Sequence, residues 1–246
     1  MLTAGDRNLL LRKAFAELLG TLLLVATVVG SGIAASRLSP DDVGLQLLEN
    51  ALITGAVLVA LILALGPVSA AFNPVVTLVE RAFGAVSTAQ AAVLILAQVV
   101  GGCLGAVLAN LMFELDPVVV ATTERSSGAL WLAEAVATFG LVVVIFGLVR
   151  SGRSAHVAYA VGAYITAAYF FTSSTSFANP AVTLGRTLSD TFAGIAPSSV
   201  GPFVLAQLTG GALAYGAARL LYPDAGALAA DLVRMSEPTT RTGAPR

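Results

Sequence analysis

Charge is what this chain has least of. Of its 246 residues only 11% are charged, against about a quarter in a soluble domain. Meanwhile 57% are hydrophobic and mean hydropathy is +0.88. Charge this sparse cannot cover a soluble surface, so the composition is that of an integral membrane protein. The net charge of -1 excludes the basic field that a nucleic-acid partner requires. Cysteine occurs once, at Cys103, and histidine once, at His156. A lone cysteine closes no intrachain disulfide, and with one histidine it completes no zinc pattern. Cys103 reads as small apolar packing; His156, in the polar stretch RSGRSAH, reads as a loop or helix-start residue. No His/Cys/Asp cluster and no Gly-rich phosphate loop is present, so neither an enzyme, a metal nor a cofactor is expected.

Long apolar runs are abundant instead. A membrane span needs about 20 mostly apolar residues, and six stretches qualify: Leu9–Ala35, Leu45–Leu65, Ala89–Phe113, Ala129–Val149, Ala155–Thr172 and Val200–Leu221. The first follows a signal-like amino end but contains Glu17 and has no clean cleavage site, so it is expected to be retained. Two further apolar stretches, Asn73–Gly84 and Asn179–Asp190, are too short to cross, and each opens with Asn-Pro. Positive charge gathers at Arg7, Arg12 and Lys13, at Arg150 and Arg153, and at Arg219, Arg234, Arg241 and Arg246. The loops after the first and third spans are acidic instead. By the positive-inside bias both termini are cytoplasmic, a parity that six spans satisfy.

The chain also repeats itself. AELLGT (16–21) returns as AEAVAT (133–138), NPVVTL (73–78) as NPAVTL (179–184), and AQVVGG (97–102) as AQLTGG (206–211). Three anchors recur in one order. Each half holds three spans and one short element, and because three is odd the second half enters the membrane from the opposite side. This is an inverted repeat. The expected organisation is an amino-terminal segment (1–8), a first repeat (9–113), an extracellular connector (114–128), a second repeat (129–222) and a cytoplasmic tail (223–246).

Asn is a favoured N-cap and Pro a favoured first helical residue, so Asn73-Pro74 and Asn179-Pro180 each start a helix. About ten residues make a helix of roughly 15 Å, half the hydrocarbon thickness. A half-helix and its irregular lead-in survive at that depth only when packed in protein or lining a wet cavity. By symmetry one enters from each face and their amino ends meet near the midplane. Each brings about half a positive charge, and each asparagine offers amide donors. Such a point orients a passing hydroxyl and repels cations. Carboxylates inside spans are expensive and mark function or tight pairing; Glu17 and Glu134 occupy matching repeat positions.

These paired boxes in inverted halves, over residues 10 to 222, resemble the aquaporin or major intrinsic protein family. The resemblance implies an all-α membrane protein of six transmembrane helices and two re-entrant half-helices, with one pore in each protomer of a homotetramer. The first box departs slightly, reading Asn73, Pro74, Val75; the second, Asn179, Pro180, Ala181, matches. Glu17 and Glu134 then correspond to scaffold carboxylates that accept hydrogen bonds from the lead-in loops. Family selectivity resides in a four-residue constriction, which carries over to Thr54, Ala167, Ser176 and Val182. Val182 stands where the family usually has arginine, and Arg186, one helical turn further along, is placed outside the pore. This set is small, uncharged and without an aromatic, which implies a wide pore. Valine after the second box is similar to a bacterial branch linked to arsenic resistance. The implied function is passive passage of water, glycerol-like polyols and neutral metalloid acids such as arsenous acid and methylated arsenicals. The single lysine among twelve arginines suits a GC-rich bacterial genome, and an inner membrane is the expected location. The competing reading is a secondary active transporter, which shares inverted repeats and broken helices.

Overall fold

The computed structural model describes residues 4–223; the first three residues and positions 224–246 of the expected tail, with Arg234, Arg241 and Arg246, lie outside them. The described chain is helical, in the order α1 (Ala4–Leu38), α2 (Val43–Leu65), α3 (Pro74–Ala82), α4 (Thr88–Met112), α5 (Gly128–Arg150), α6 (Val157–Phe171), α7 (Pro180–Gly185) and α8 (Pro197–Leu221), with short 3-10 turns at Ser154–His156 and Arg186–Leu188. Four of these, α1, α2, α4 and α5, are long and apolar enough to cross a membrane by length and composition alone. The two remaining spans depart from the sequence expectation in instructive ways. α6 has only 15 residues and is preceded by the 3-10 turn that ends at His156. α8 has 25 residues but spends polar Gln207 and the glycines Gly210 and Gly211 on contacts with its neighbours.

The packing follows the repeat. α1 lies along α4, and α5, its counterpart, lies along α8; α2 and α6 meet between the halves. Small residues set these distances. A Cβ at Gly162 of α6 would fall 2.6 Å from the Gly55 carbonyl oxygen of α2 and closer still to the Val59 side chain, so the two backbones come near enough that neither position has room for a side chain, as small residues permit in lipid. The short helices fill the remaining space. α3 packs on α4 and α8, α7 packs on α4 and α8, and α3 and α7 touch each other. α7 is shorter than the expected ten residues: it is α-helical for six, then tightens into the 3-10 turn Arg186–Leu188.

Candidate functional site

Each half-helix starts as its Asn-Pro pair dictates. Asn73 Oδ1 accepts the Val75 N–H at 2.9 Å. Asn179 Oδ1 accepts the N–H groups of Ala181 and Val182 at 3.0 and 3.3 Å. Pro74 and Pro180 occupy the first helical positions, where a missing N–H costs nothing. The asparagine amides then tie the halves together. Asn73 Nδ2 donates to the Ala178 carbonyl at 2.7 Å, and Asn179 Nδ2 donates to the Phe72 carbonyl, also at 2.7 Å. So one hydrogen of each amide is spent on the opposite lead-in, and one remains for a solute.

The accepting residues are themselves unusual. Phe72 and Ala178 stand immediately before the boxes with φ of 47° and 49°; Thr175 and Ser176 are also left-handed, at 63° and 52°. A side-chain-bearing residue in that region costs on the order of 1 kcal/mol. Two buried carboxylates hold it there. Glu17 accepts the Ala71 and Phe72 N–H groups at 2.9 and 2.7 Å, and Glu134 accepts those of Phe177 and Ala178, both at 2.9 Å. A glutamine completes each cluster. Gln98 donates to Glu17 and to Thr77; Gln207 donates to Glu134 and to Thr183. Both carboxylates are 0% exposed.

The third residues of the boxes face away from the pore, toward small neighbours. A Cβ at Gly102 would lie 2.7 Å from the Ala181 carbonyl oxygen, and one at Gly211 would collide with the Val75 side chain. The added methyls of Val75 are therefore taken up against α8 and do not narrow the cavity.

Between the halves runs a cavity of about 460 Å³, to which Asn73 and Asn179 both contribute. Of the four residues assigned to the constriction, Thr54, Ser176 and Val182 line it and Ala167 does not. Ala167 is exposed on the outer face of α6. The lining residues of that helix include Ile165 and Tyr169, after Val157, Ala158 and Val161, and two positions are about 200° apart on a helix, so Ala167 points the opposite way. Tyr169 brings a buried aromatic to the site and places its hydroxyl 3.2 Å from Thr54 Oγ1. Tyr169 thus gives the cavity lining an aromatic that the expected set of four lacks.

Arg186 is the second correction. It lines the cavity and is 3% exposed. Residues four apart share a helix face, and side chains lean toward the helix amino end, so Arg186 projects on the same side as Val182. Its Nε donates to the Ala193 carbonyl, and its guanidinium carbon lies 3.4 Å from the centre of the Phe177 ring. Arg125, from the connector, approaches the same ring at 5.1 Å and donates to the Gly194 carbonyl. At the opposite mouth the cavity is lined by Lys13 and Glu80, neither of which stood out in the sequence as a pore residue. A signal for Glu80 and Arg186, though not for Lys13, was present: Asn73, Val76 and Glu80, and likewise Asn179, Val182 and Arg186, follow an i, i+3, i+7 spacing.

Residues 6–176 match the family model described as major intrinsic protein. The chain is 48% identical over 233 residues to aquaglyceroporin AqpS of Rhizobium meliloti (strain 1021), covering 94% of this chain and 97% of that one. It is 30% identical over 204 residues to the Arabidopsis thaliana protein named "Probable aquaporin NIP4-2", covering 79% and 71%. Among solved structures, the aquaglyceroporin from Plasmodium falciparum shares the fold, with a TM-score of 0.69 at 18% identity over 88% of this chain and 98% of that one. With two half-helices meeting at paired asparagines and this similarity over nearly the whole length, the chain belongs to the major intrinsic protein family.

Proposed function

We propose that the protein is a passive transmembrane channel for small neutral solutes: water, glycerol-like polyols, and neutral metalloid acids such as arsenous acid and methylated arsenicals. The observation that carries this reading is the cavity between the half-helices, lined by Asn73 and Asn179 together with apolar Leu58, Leu141 and Ile165. Amide donors suit hydroxyls, and apolar side chains suit the carbon skeleton of a polyol. The relative named an aquaglyceroporin supports the polyol part. Val182 in place of the family's usual arginine supports the metalloid part. Glu17 and Glu134 are occupied by backbone N–H groups and glutamines, which speaks against their carrying transported protons. A homotetramer in a bacterial inner membrane, with both termini cytoplasmic, completes the proposal.

The test is stopped-flow light scattering on proteoliposomes, comparing water, glycerol and arsenous acid with empty vesicles. Fast, non-saturating flux of the two larger solutes is expected; accumulation against a gradient would favour the transporter instead. Val182→Arg is expected to cut glycerol and arsenous acid flux about tenfold, since a long cationic side chain would enter a site already holding Arg186, while water flux survives. Unchanged flux of the large solutes would remove Val182 from the constriction.

A further inference from the structure

Arg125 stands outside the cavity yet touches what lines it. The connector that carries it is bonded step by step to the segment between α7 and α8. Val119 and Ala121 donate their N–H groups to the carbonyls of Leu188 and Thr187 at 3.1 and 2.9 Å, and Ala196 N–H donates to the Thr123 carbonyl at 2.8 Å. Thr122 N–H donates to Asp190 at 2.9 Å. Glu124 accepts the hydroxyls of Ser198 and Ser199 in the first turn of α8, whose cap residue Ala196 makes no side-chain hydrogen bond. A carboxylate is favoured at a helix amino end. The Ser199 hydroxyl in turn accepts the Arg125 N–H at 2.9 Å, so the backbone at Arg125 is fixed.

The side chain of Arg125 then reaches inward. Its Nε donates to the Gly194 carbonyl at 3.0 Å, and its guanidinium lies over the Phe177 ring at 5.1 Å. Arg186 uses the neighbouring carbonyl, that of Ala193, and the same ring, at 3.4 Å. Phe177 and Arg186 line the cavity and Arg125 does not. The Phe177 backbone is held by Glu134 and one side of its ring meets Phe203 edge-on at 5.3 Å; the two cations complete its surroundings. Among the described residues the terminal amines of Arg186 have no hydrogen-bond partner. The ring and one carbonyl therefore set where this guanidinium stands, and Arg125 grips both the ring and the next carbonyl. We propose that Arg125 is a positioning residue for solute selection: through Phe177 and the 193–194 carbonyls it keeps Arg186 seated at the edge of the cavity, and so sets how much of the opening a larger solute finds free. Arg125 itself touches no solute. Without it the ring turns, the guanidinium loses its seat, and a long side chain sweeps the lumen beside Val182. Water passes such an obstacle more readily than a polyol does.

This inference rests on the channel reading above, and the experiment separates the two. Glycerol and water permeabilities are measured by stopped-flow light scattering on the same proteoliposomes. Their ratio is the readout, because a loss of folded protein lowers both alike. Arg125→Gln is expected to lower the glycerol-to-water ratio about fivefold, the scale of one cation–π contact transmitted to a neighbouring group. The same substitution made in an Arg186→Met protein, which keeps the stem against Phe177 but lacks the group to be positioned, is expected to change the ratio no further. If Arg125→Gln does not fold, Arg125→Met keeps the apolar stem, loses the cation and the Nε bond, and carries the same expectation. An unchanged or raised ratio overturns the proposal. A fall of equal size with and without the Arg186 guanidinium also overturns it, because Arg125 would then act on the structure at large. Glycerol flux at the level of empty vesicles in the unmodified protein overturns the channel reading itself.

Discussion

Replacing Glu134 by glutamine is expected to cost most of the folded protein while leaving solute choice unaltered in what survives. The side chain is isosteric but its hydrogen bonding is not. Glu134 uses its two oxygens to accept from Phe177 N–H, Ala178 N–H and Gln207 Nε2. All three partners are donors. Glutamine would keep one acceptor oxygen and turn two new amide hydrogens toward donors, of which only Gln207 has a second acceptor, Thr183. Each buried group left unsatisfied costs about 1–3 kcal/mol, and more where the lost partner was charged. The loss also releases the left-handed backbone of Thr175, Ser176 and Ala178, whose strain the carboxylate offsets. A total of roughly 3–5 kcal/mol follows, which at about 2–4 °C per kcal/mol for a chain of this size is a fall of roughly 10 °C in Tm. The check is the yield of monodisperse protein after detergent extraction, with its melting temperature. Glu17→Gln is expected to behave alike, because Glu17 accepts from Ala71, Phe72, Ser69 and Gln98 in the mirrored arrangement. Normal yield combined with an altered pH dependence of flux would instead favour a proton-coupled transporter.

The same cluster explains why so much of the architecture is legible in the sequence. The three repeated stretches are not independent similarities. AE supplies the carboxylate, AQ the glutamine and NPxVT the threonine of one hydrogen-bonded unit, Glu17–Gln98–Thr77 in one half and Glu134–Gln207–Thr183 in the other. Polar residues this costly to bury in a membrane must keep their partners, so their identity and order survive in plain view. The expected constriction is less legible because its residues were drawn from four segments whose rotation the sequence does not state. Counting back from Asn179 along α6 arrives at Ala167, but α6 joins the box through the irregular segment 172–178. The rotation of the helix about its axis therefore depends on that segment's conformation, which turns Ile165 and Tyr169 inward. Arg186 shows a different failure. Distance along the chain set it outside the pore, whereas helical geometry sets a residue one turn on to the same face. Glu80 follows from the same rule applied to the other half. Valine at 182 thus does not leave the cavity without an arginine, because Arg186 lines it from the next turn.

Gly210→Val is expected to abolish recovery of monodisperse protein, whereas Gly216→Val on the same helix is expected to leave it near the unmodified level. Both substitutions put the same β-branched side chain into α8, so helix propensity and hydrophobicity are matched and only the surroundings differ. A Cβ at Gly210 would fall 3.0 Å from the carbonyl carbon and 3.1 Å from the Cα of Ala135, with the carbonyl oxygen nearer still; at Gly216 nothing lies within 4 Å among the described residues. The atoms opposed at Gly210 are backbone of α5, and backbone in a helix cannot turn aside as a side chain can. α5 and α8 must separate. Overpacking of this type costs about 1–3 kcal/mol where a core can adjust, and here adjustment spreads to the site. Ala135 follows Glu134 directly, and Gly210 lies on the same face of α8 as Gln207, three residues before it. Moving the helices apart therefore stretches the bond of 2.6 Å between Gln207 and Glu134 and with it the hold on the second lead-in. The packing of two glycine-rich helices and the placement of the pore asparagines are one constraint. Equal recovery of the two variants would show that α5 and α8 are not in backbone contact, and would separate the hydrogen-bonded cluster from the helix packing that is argued to fix it.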